Sequence, residues 1–116
     1  MASTWYPVTT PEELDAHFAD SGASPTILFN HDPFCPISAY ANRQMKQIAA
    51  DVYMIDVAHA NHLAQQLAQR TGVKHESPQV IIMVKGQAVW SKSHRAITQE
   101  AVDQAFQQAQ DRGTAE

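Results

Sequence analysis

The sequence has little of what several classes of protein depend on. Its 116 residues include one cysteine, and 12 acidic side chains outnumber 8 from lysine and arginine. A single thiol closes no intramolecular disulfide and is typical of a reducing compartment, so we expect a cytoplasmic location. The net charge of −4 provides no general basic field, and we therefore expect no nucleic-acid partner.

Long apolar runs are also missing. The longest, Val80 to Val84, is far too short to cross a bilayer, so we expect no membrane contact. The opening MASTWYPVTT does not place an apolar segment after a basic one and predicts no secretory signal. Because no segment is rich in Gly/Ser, proline or charge of one sign, the composition predicts one domain over residues 1–116.

Hydrophobic periodicity predicts alternating strands and helices. Thr10, Pro11 and Glu13 form the pattern of a capping box at the start of a helix. The predicted helices cover residues 11–19, 36–50 and 60–70, and Thr98 caps a last one. The predicted strands cover residues 5–8, 26–29, 52–57, 80–84 and 87–90.

This order, β-α-β-α-β-α-β-β-α, predicts an α/β fold. Helices between apolar strands indicate parallel pairing through right-handed crossovers. Lys85 and Gly86 form a two-residue connection typical of a β-hairpin, which adds antiparallel strands. We therefore expect a mixed sheet with helices on both faces. Strand 26–29 is apolar throughout and should be buried on both faces.

The only cysteine, Cys35, lies where strand 26–29 leads into helix 36–50. A helix N-terminus presents unpaired amides and the positive end of the macrodipole, which favour a thiolate over a thiol. Pro36 suits the first helical turn, and Ser38 is placed to offer its hydroxyl or amide to the sulfur. Position thus indicates a reactive thiol; the alternative is a small buried hydrophobe.

A second loop, KHESPQ over residues 74–79, enters the next strand through Ser77 and Pro78. A proline at this point has no amide to give the sheet and can adopt the cis form in a tight turn. If it does, the Ser77 backbone lies exposed beside the thiolate. Such a backbone pairs with an extended substrate that carries a disulfide.

The combination of Cys35-Pro36-Ile37-Ser38 at a helix start with the VKHESPQ stretch resembles the monothiol bacilliredoxin family of the thioredoxin superfamily. The resemblance implies a thioredoxin-like fold, with Cys35 as nucleophile and Pro78 at the cis-proline position. It also implies removal of bacillithiol from bacillithiolated proteins, with bacillithiol as co-substrate and no tightly bound cofactor. Phe34 stands where a small polar residue, often threonine, is expected.

Further charged and titratable residues are candidates for this site. His31 and His75 lie in loops predicted to border Cys35, where an imidazolium would stabilise a thiolate. Bacillithiol carries a malate unit, for which cationic side chains are candidate contacts: Arg43, Lys46, Lys74 and Arg95. His59 and His62 share a helical face, but no complete ligand set accompanies them, so we predict no metal site.

Two other functions stay open at this level. One is an iron-sulfur carrier resembling monothiol glutaredoxins, in which one cysteine per subunit and external thiols hold a cluster; Pro36 differs from the glycine expected in that group. The other is a thioredoxin-like binding module with an inert Cys35, because a fold does not establish an activity.

Overall fold

Strands and helices alternate in the predicted order. The computed structural model describes residues 4–20, 22 and 24–115. The elements are β1 (Trp5–Pro7), α1 (Pro11–Ala19), β2 (Thr26–His31), α2 (Pro36–Met45), β3 (Val52–Asp56), α3 (Asn61–Thr71), β4 (Gln79–Val84), β5 (Gln87–Ser93), a short 3-10 turn η1 (His94–Ala96) and α4 (Gln99–Ala115). No helix among these residues is long and apolar enough to span a membrane.

The five strands form one mixed sheet in the order β1-β3-β2-β4-β5. β3 runs parallel to β1 and β2, whereas β4 is antiparallel to β2 and β5. The last residues of β2, β3 and β5 therefore meet the first residue of β4 at one end of the sheet. We call this the Cys35 end, formed by His31, Asp56, Ser93 and Gln79; the opposite end, formed by Thr26, Val52, Gln87 and Val84, is the hairpin end.

A hydrophobic layer covers each face of the sheet, which confirms helices on both faces. Successive residues of a strand point to opposite faces, so Phe29 packs on the α2 and α4 side while its neighbour Leu28 packs on the α1 and α3 side. Residues 27–30 of β2 are all buried, as predicted for a strand enclosed on both faces. The two layers fix β2 firmly, and β2 carries the Cys35 loop.

Turns and caps follow the predicted local chemistry. The Glu13 amide donates to Thr10 Oγ1 at 3.2 Å and the Thr10 amide donates to Glu13 Oε1 at 3.1 Å, which completes the capping box. Lys85 and Gly86 have φ of 53° and 77°, the positive pair that a two-residue hairpin turn requires. A Cβ on Gly86 would lie 2.4 Å from the Phe18 carbonyl oxygen, so the hairpin packs directly on α1.

Helix α2 is shorter than predicted, ending at Met45 and not near Ala50. The Gln47 amide donates to the Gln44 carbonyl and the Ile48 amide to that of Met45, so the chain tightens into three-residue turns after the helix. Ile48 is nevertheless fully buried. The apolar stripe continues into the core from these turns, and for this reason periodicity alone overextended the helix.

Two strands are longer than predicted by two residues or more. β2 continues to His31, which pairs with Asp56 of β3, and β5 continues to Ser93, which pairs with Gln79. His31 is thus a strand residue and not a loop residue. Both extensions are polar, so the hydrophobic pattern did not predict them. Backbone pairing with the neighbouring strands holds them in the sheet.

Candidate active site

Cys35 is the N-cap residue of α2, as predicted. Its backbone is extended, with φ −107° and ψ 124°, and its carbonyl accepts the first helical hydrogen bond from the Ala39 amide at 3.1 Å. The residue is a free cysteine of intermediate exposure. A partly exposed cysteine thus lies at the amide-rich end of the helix.

Asp32 organises the loop that precedes the cysteine. Its carbonyl accepts from the Cys35 amide at 3.1 Å, and its Oδ1 accepts from the Phe34 amide at 3.0 Å. The Asp32 amide donates to Ser38 Oγ at 3.2 Å, and Ser38 is completely buried. Ser38 Oγ therefore accepts from the loop backbone, where the sequence suggested the sulfur as partner, and it ties the loop to the first turn of α2.

The loop over residues 74–79 lies at the same end of the sheet. Its Ser77–Pro78 peptide bond is cis, and Pro78 is buried while Ser77 is partly exposed. The Pro78 carbonyl accepts from the His94 amide at 3.0 Å, and Ser93 Oγ donates to Glu76 Oε1 at 3.1 Å. The end of β5 and the start of η1 thereby hold this loop from the side away from β2.

A buried amide pair holds the same loop from the β2 side. Gln79 Oε1 accepts from Asn30 Nδ2 at 3.1 Å and from the Glu76 amide at 3.4 Å, while Gln79 Nε2 donates to the Lys74 carbonyl at 2.8 Å. Asn30 and Gln79 are almost fully buried. Sequence reasoning missed this clamp, because no local pattern announces that residues 30 and 79 are partners across two strands.

The Cys35 end keeps hydrogen-bonding capacity that the described part of the chain does not use. Four buried side-chain atoms there have no hydrogen-bond partner among the described residues: Asn30 Oδ1, His31 Nδ1, His75 Nδ1 and Ser77 Oγ. Buried polar atoms are normally satisfied in folded proteins. Their concentration on β2 and the 74–79 loop distinguishes this end from the apolar layers beside it.

His31 differs from its predicted state. Burial lowers its pKa and the charge of Lys46 lowers it further, against the opposing effect of Asp56 and Asp32. The ring is therefore neutral at neutral pH, because burial disfavours the charged form. The imidazolium that the sequence suggested beside the thiolate is not the resting form of this residue.

The four predicted cations separate into two groups. Arg43 lies in the last turn of α2, and Lys46 follows that helix with its Nζ 5.3 Å from the centroid of the Trp5 ring. Both are at the far end of α2, about 12 Å or more along the helix from Cys35 at 1.5 Å per residue. Arg95, in η1 next to Ser93, and Lys74, bound through its carbonyl to Gln79, lie at the Cys35 end instead.

Asp56 and His59 complete this end after β3. Asp56 Oδ1 accepts from the Ala58 amide at 3.1 Å, so Asp56 caps the turn that follows β3. Its Oδ2 lies 2.9 Å from His59 Nδ1, and the His59 ring lies 6.5 Å from that of Phe34. No group of three His, Cys, Asp or Glu side chains within the described residues is arranged to hold a metal ion.

Comparison with known families identifies this arrangement. The family model described as monothiol bacilliredoxin BrxC matches residues 6–102. The chain belongs to the monothiol bacilliredoxin family. The matched range contains both loops of the Cys35 end.

Solved structures support the bacilliredoxin assignment with a common fold. A protein described as a candidate oxidoreductase with a thioredoxin fold is 27% identical, with a TM-score of 0.80, covering 88% of this chain and 93% of its own. A mutant thioredoxin from Halobacterium salinarum is 19% identical (TM-score 0.70; 95% and 96% covered). A thioredoxin from Nicotiana alata is 14% identical (TM-score 0.74; 94% and 95% covered). At these low identities the two thioredoxins establish the fold alone.

The predicted thioredoxin-like α/β fold is therefore confirmed, and so is the resemblance to bacilliredoxins. Membership of this family, together with the thioredoxin fold, gives the chain a redox role as an oxidoreductase. The substrate and the residues that act on it are argued below from the chemistry of the side chains at the Cys35 end.

Proposed function

We propose that this bacilliredoxin removes bacillithiol from protein mixed disulfides through the Cys35 thiolate. The observation that supports the proposal is the position of the only sulfur nucleophile, partly exposed at the N-cap of α2. Amides of the first helical turn stabilise an anion there. Pro36 occupies the first helical position, where its missing amide removes no helical hydrogen bond.

The exchange conserves both thiols and disulfides. The Cys35 thiolate attacks the bacillithiol sulfur of the mixed disulfide; a new sulfur-sulfur bond forms, the old one breaks, and the protein thiolate leaves and takes a proton from solvent. A second bacillithiol thiolate then attacks the bacillithiol sulfur bound to Cys35. This step releases oxidised bacillithiol and restores the Cys35 thiolate, so one protein cysteine suffices.

Neighbouring residues take supporting roles in this proposal. Ser38 fixes the Cys35 loop through Asp32, and Ser77 with Pro78 shapes the opposite wall of the site. Arg95 and His75 are the side chains we assign to the malate unit, since a carboxylate gains from charge-assisted hydrogen bonds. We no longer include Arg43, because it lies at the other end of α2, and we assign His31 a neutral role as a polar group beneath the loop.

Intact-mass analysis tests the proposal directly. Protein incubated with oxidised bacillithiol should gain one bacillithiol adduct, and peptide mapping should place it on Cys35. Cys35→Ala and Cys35→Ser should form no adduct and should lose at least about a thousandfold in the removal of bacillithiol from a modified protein, because the nucleophile is gone. The free energies of unfolding of the two variants should lie within about 1 kcal/mol of the parental value, since the Cys35 side chain is not part of the core.

Three contrary results would redirect the assignment. Removal of bacillithiol by Cys35→Ala at the parental rate would eliminate Cys35 as the nucleophile. If Cys35 alkylation follows pH as free cysteine does, the thiol is not activated and the protein is a binding module. Visible absorbance after anaerobic reconstitution with iron and sulfide would favour the cluster carrier.

A further inference from the structure

Phe34, the residue before Cys35, exposes a large apolar side chain beside the sulfur. Its relative exposure is 79%, against 42% for Tyr6 and Val89, the other exposed large hydrophobic residues in the described part of the chain. The Asp32 side chain fixes the Phe34 amide, so the exposed ring stands on an ordered loop. Burial of such a side chain on binding is favourable, and the ordered backbone reduces the entropy lost.

His59 links this ring to a cavity that Phe34 itself does not line. The cavity has a volume of about 290 Å³ and its apolar lining comes from Pro7, Val8, Met54 and Ala60. His59 lines the same cavity and its ring lies 6.5 Å from that of Phe34. We call Phe34, His59 and the lining of this cavity together the Phe34 surface.

We propose that the Phe34 surface binds the polypeptide part of the substrate, and that it selects segments with an apolar side chain next to the modified cysteine. This inference rests on the proposed function and names the substrate class for it. The bacillithiol part of a mixed disulfide is polar, with sugar and carboxylate groups, and gains little from a phenyl ring. A polypeptide is the component of the substrate that supplies apolar side chains, and an exposed aromatic beside a pocket is typical of an energetic hot spot.

Charge narrows the partner further. Asp56 lines the cavity and Asp32 lies directly behind Phe34 in the loop. These two carboxylates disfavour an acidic partner, because like charges that are brought together on binding repel each other. The expected substrate segment is therefore apolar and not acidic on the side of the cysteine that meets Phe34.

Binding without chemistry provides the first test. The probes are dye-labelled peptides in which serine replaces the modified cysteine, flanked by leucine, by serine or by glutamate. The parent protein should bind the leucine peptide most tightly and the glutamate peptide least. Phe34→Ala should weaken binding of the leucine peptide by about tenfold, equivalent to about 1.4 kcal/mol, and should leave the serine peptide unchanged.

Val89→Ala is the matched control, since it removes an exposed hydrophobic side chain from β5 and should leave all three affinities unchanged. Equal binding of the leucine and serine peptides by the parent, or no loss in Phe34→Ala, would overturn the proposal. If leucine-peptide binding depends on protein concentration through dimer formation, a second copy of the chain occupies the surface and the proposal is likewise wrong.

Kinetics separate this inference from the function on which it rests. With bacillithiolated peptides, Phe34→Ala should raise KM about tenfold for the leucine-flanked substrate while kcat stays the same. With the mixed disulfide of bacillithiol and free cysteine, its activity should equal that of the parent. Loss on every substrate would show that Phe34 supports the loop and not the partner. A parent inactive on all of them, yet selective in binding, would defeat the bacillithiol assignment alone.

Discussion

The two ends of the sheet differ in what their cavities contain. At the hairpin end, a cavity of about 660 Å³ is bordered by three carboxylates, Asp20, Asp51 and Asp103. The cavity beside the Cys35 end is smaller, about 290 Å³, and is lined by His59, whose ring lies 6.5 Å from that of Phe34. Cys35 lines neither cavity, but Phe34 precedes it in the chain, so the smaller cavity is the one linked to the loop of the only thiol. The chemical groups close to a cavity, and not the volume of the cavity, therefore locate the candidate active site.

The ends also differ in how the backbone is held. At the hairpin end, close packing fixes the chain: the Gly86 turn sits against α1, and the aliphatic core continues up to Val84. At the Cys35 end, side-chain hydrogen bonds do this, above all those of Gln79 and Asp32. Close packing at the hairpin end stabilises the fold. Polar contacts at the Cys35 end hold its loops while leaving their surface open to a substrate.

Gly86→Ala should produce the largest loss of stability in this comparison, because it attacks the packed end. The new Cβ would lie 2.4 Å from the Phe18 carbonyl oxygen at a φ of 77°. We expect the free energy of unfolding to fall by about 3 kcal/mol, from left-handed strain and the overlap together. Urea unfolding measures the loss, and bacillithiol removal at a temperature where the variant is folded should stay at the parental rate.

Gly72→Ala is the control for that substitution. Gly72 has a similar φ of 75°, but a Cβ there meets no atom within 4 Å. Only the strain of the left-handed backbone conformation applies here, so we expect the free energy of unfolding to fall by about 1 kcal/mol. Equal losses in the two variants would show that the contact between the hairpin and α1 contributes nothing.

Gln79→Ala should have the next largest effect on stability and should also affect activity, because it releases the polar end. It removes the hydrogen bonds to Asn30, Glu76 and Lys74 and leaves buried partners unsatisfied. We expect the free energy of unfolding to fall by about 2 kcal/mol, and the rate of bacillithiol removal to fall as the loop over residues 74–79 loses its anchor.

Gln87→Ala is the matched variant, since Gln87 is an exposed glutamine at the start of β5. The free energy of unfolding of Gln87→Ala should stay within about 0.5 kcal/mol of the parental value, and its rate of bacillithiol removal should equal that of the parent. A Gln79→Ala protein as stable and as active as Gln87→Ala would contradict the view that buried amide contacts shape the site.

His31→Gln should have the smallest effect, visible in the pH dependence of stability. Burial lowers the pKa of His31 in the folded state, whereas the unfolded residue keeps an ordinary value of about 6.5. As pH falls through 6.5, the unfolded chain binds the proton first, so stability decreases. The variant should therefore lose less stability between pH 7 and pH 5 than the parent.

His17→Gln should behave like His31→Gln, because burial lowers the pKa of His17 as well. If the curves of His31→Gln and the parent coincide, burial does not lower the pKa of His31 and the Cys35 end is more hydrated than its burial indicates.

Local chemistry was predictable at several points. The capping box at Thr10 and Glu13, the hairpin at Lys85 and Gly86, and Cys35 as N-cap depend on contacts within a few residues, which the sequence displays directly. The end of α2 was predicted too late, because Ile48 reaches the core from a turn and periodicity does not distinguish this from helix.

Contacts between distant segments were not predictable in this way. The Asn30 and Gln79 pair joins residues 49 positions apart, and the proximity of Phe34 to His59 depends on how β2 and β3 end side by side. The neutral state of His31 depends on burial, which arises only when α2 packs on the sheet.

The sequence by itself determined the alternation of elements, the placement of a single thiol at a helix start, and the family that this pattern resembles, since each depends on residues near one another in the chain. The tertiary structure decided which loops share an end of the sheet, which cations lie away from the sulfur, and that a phenyl ring stands exposed beside it. Burial and proximity across strands are properties of the folded chain, because they depend on the packing of segments that the sequence keeps apart.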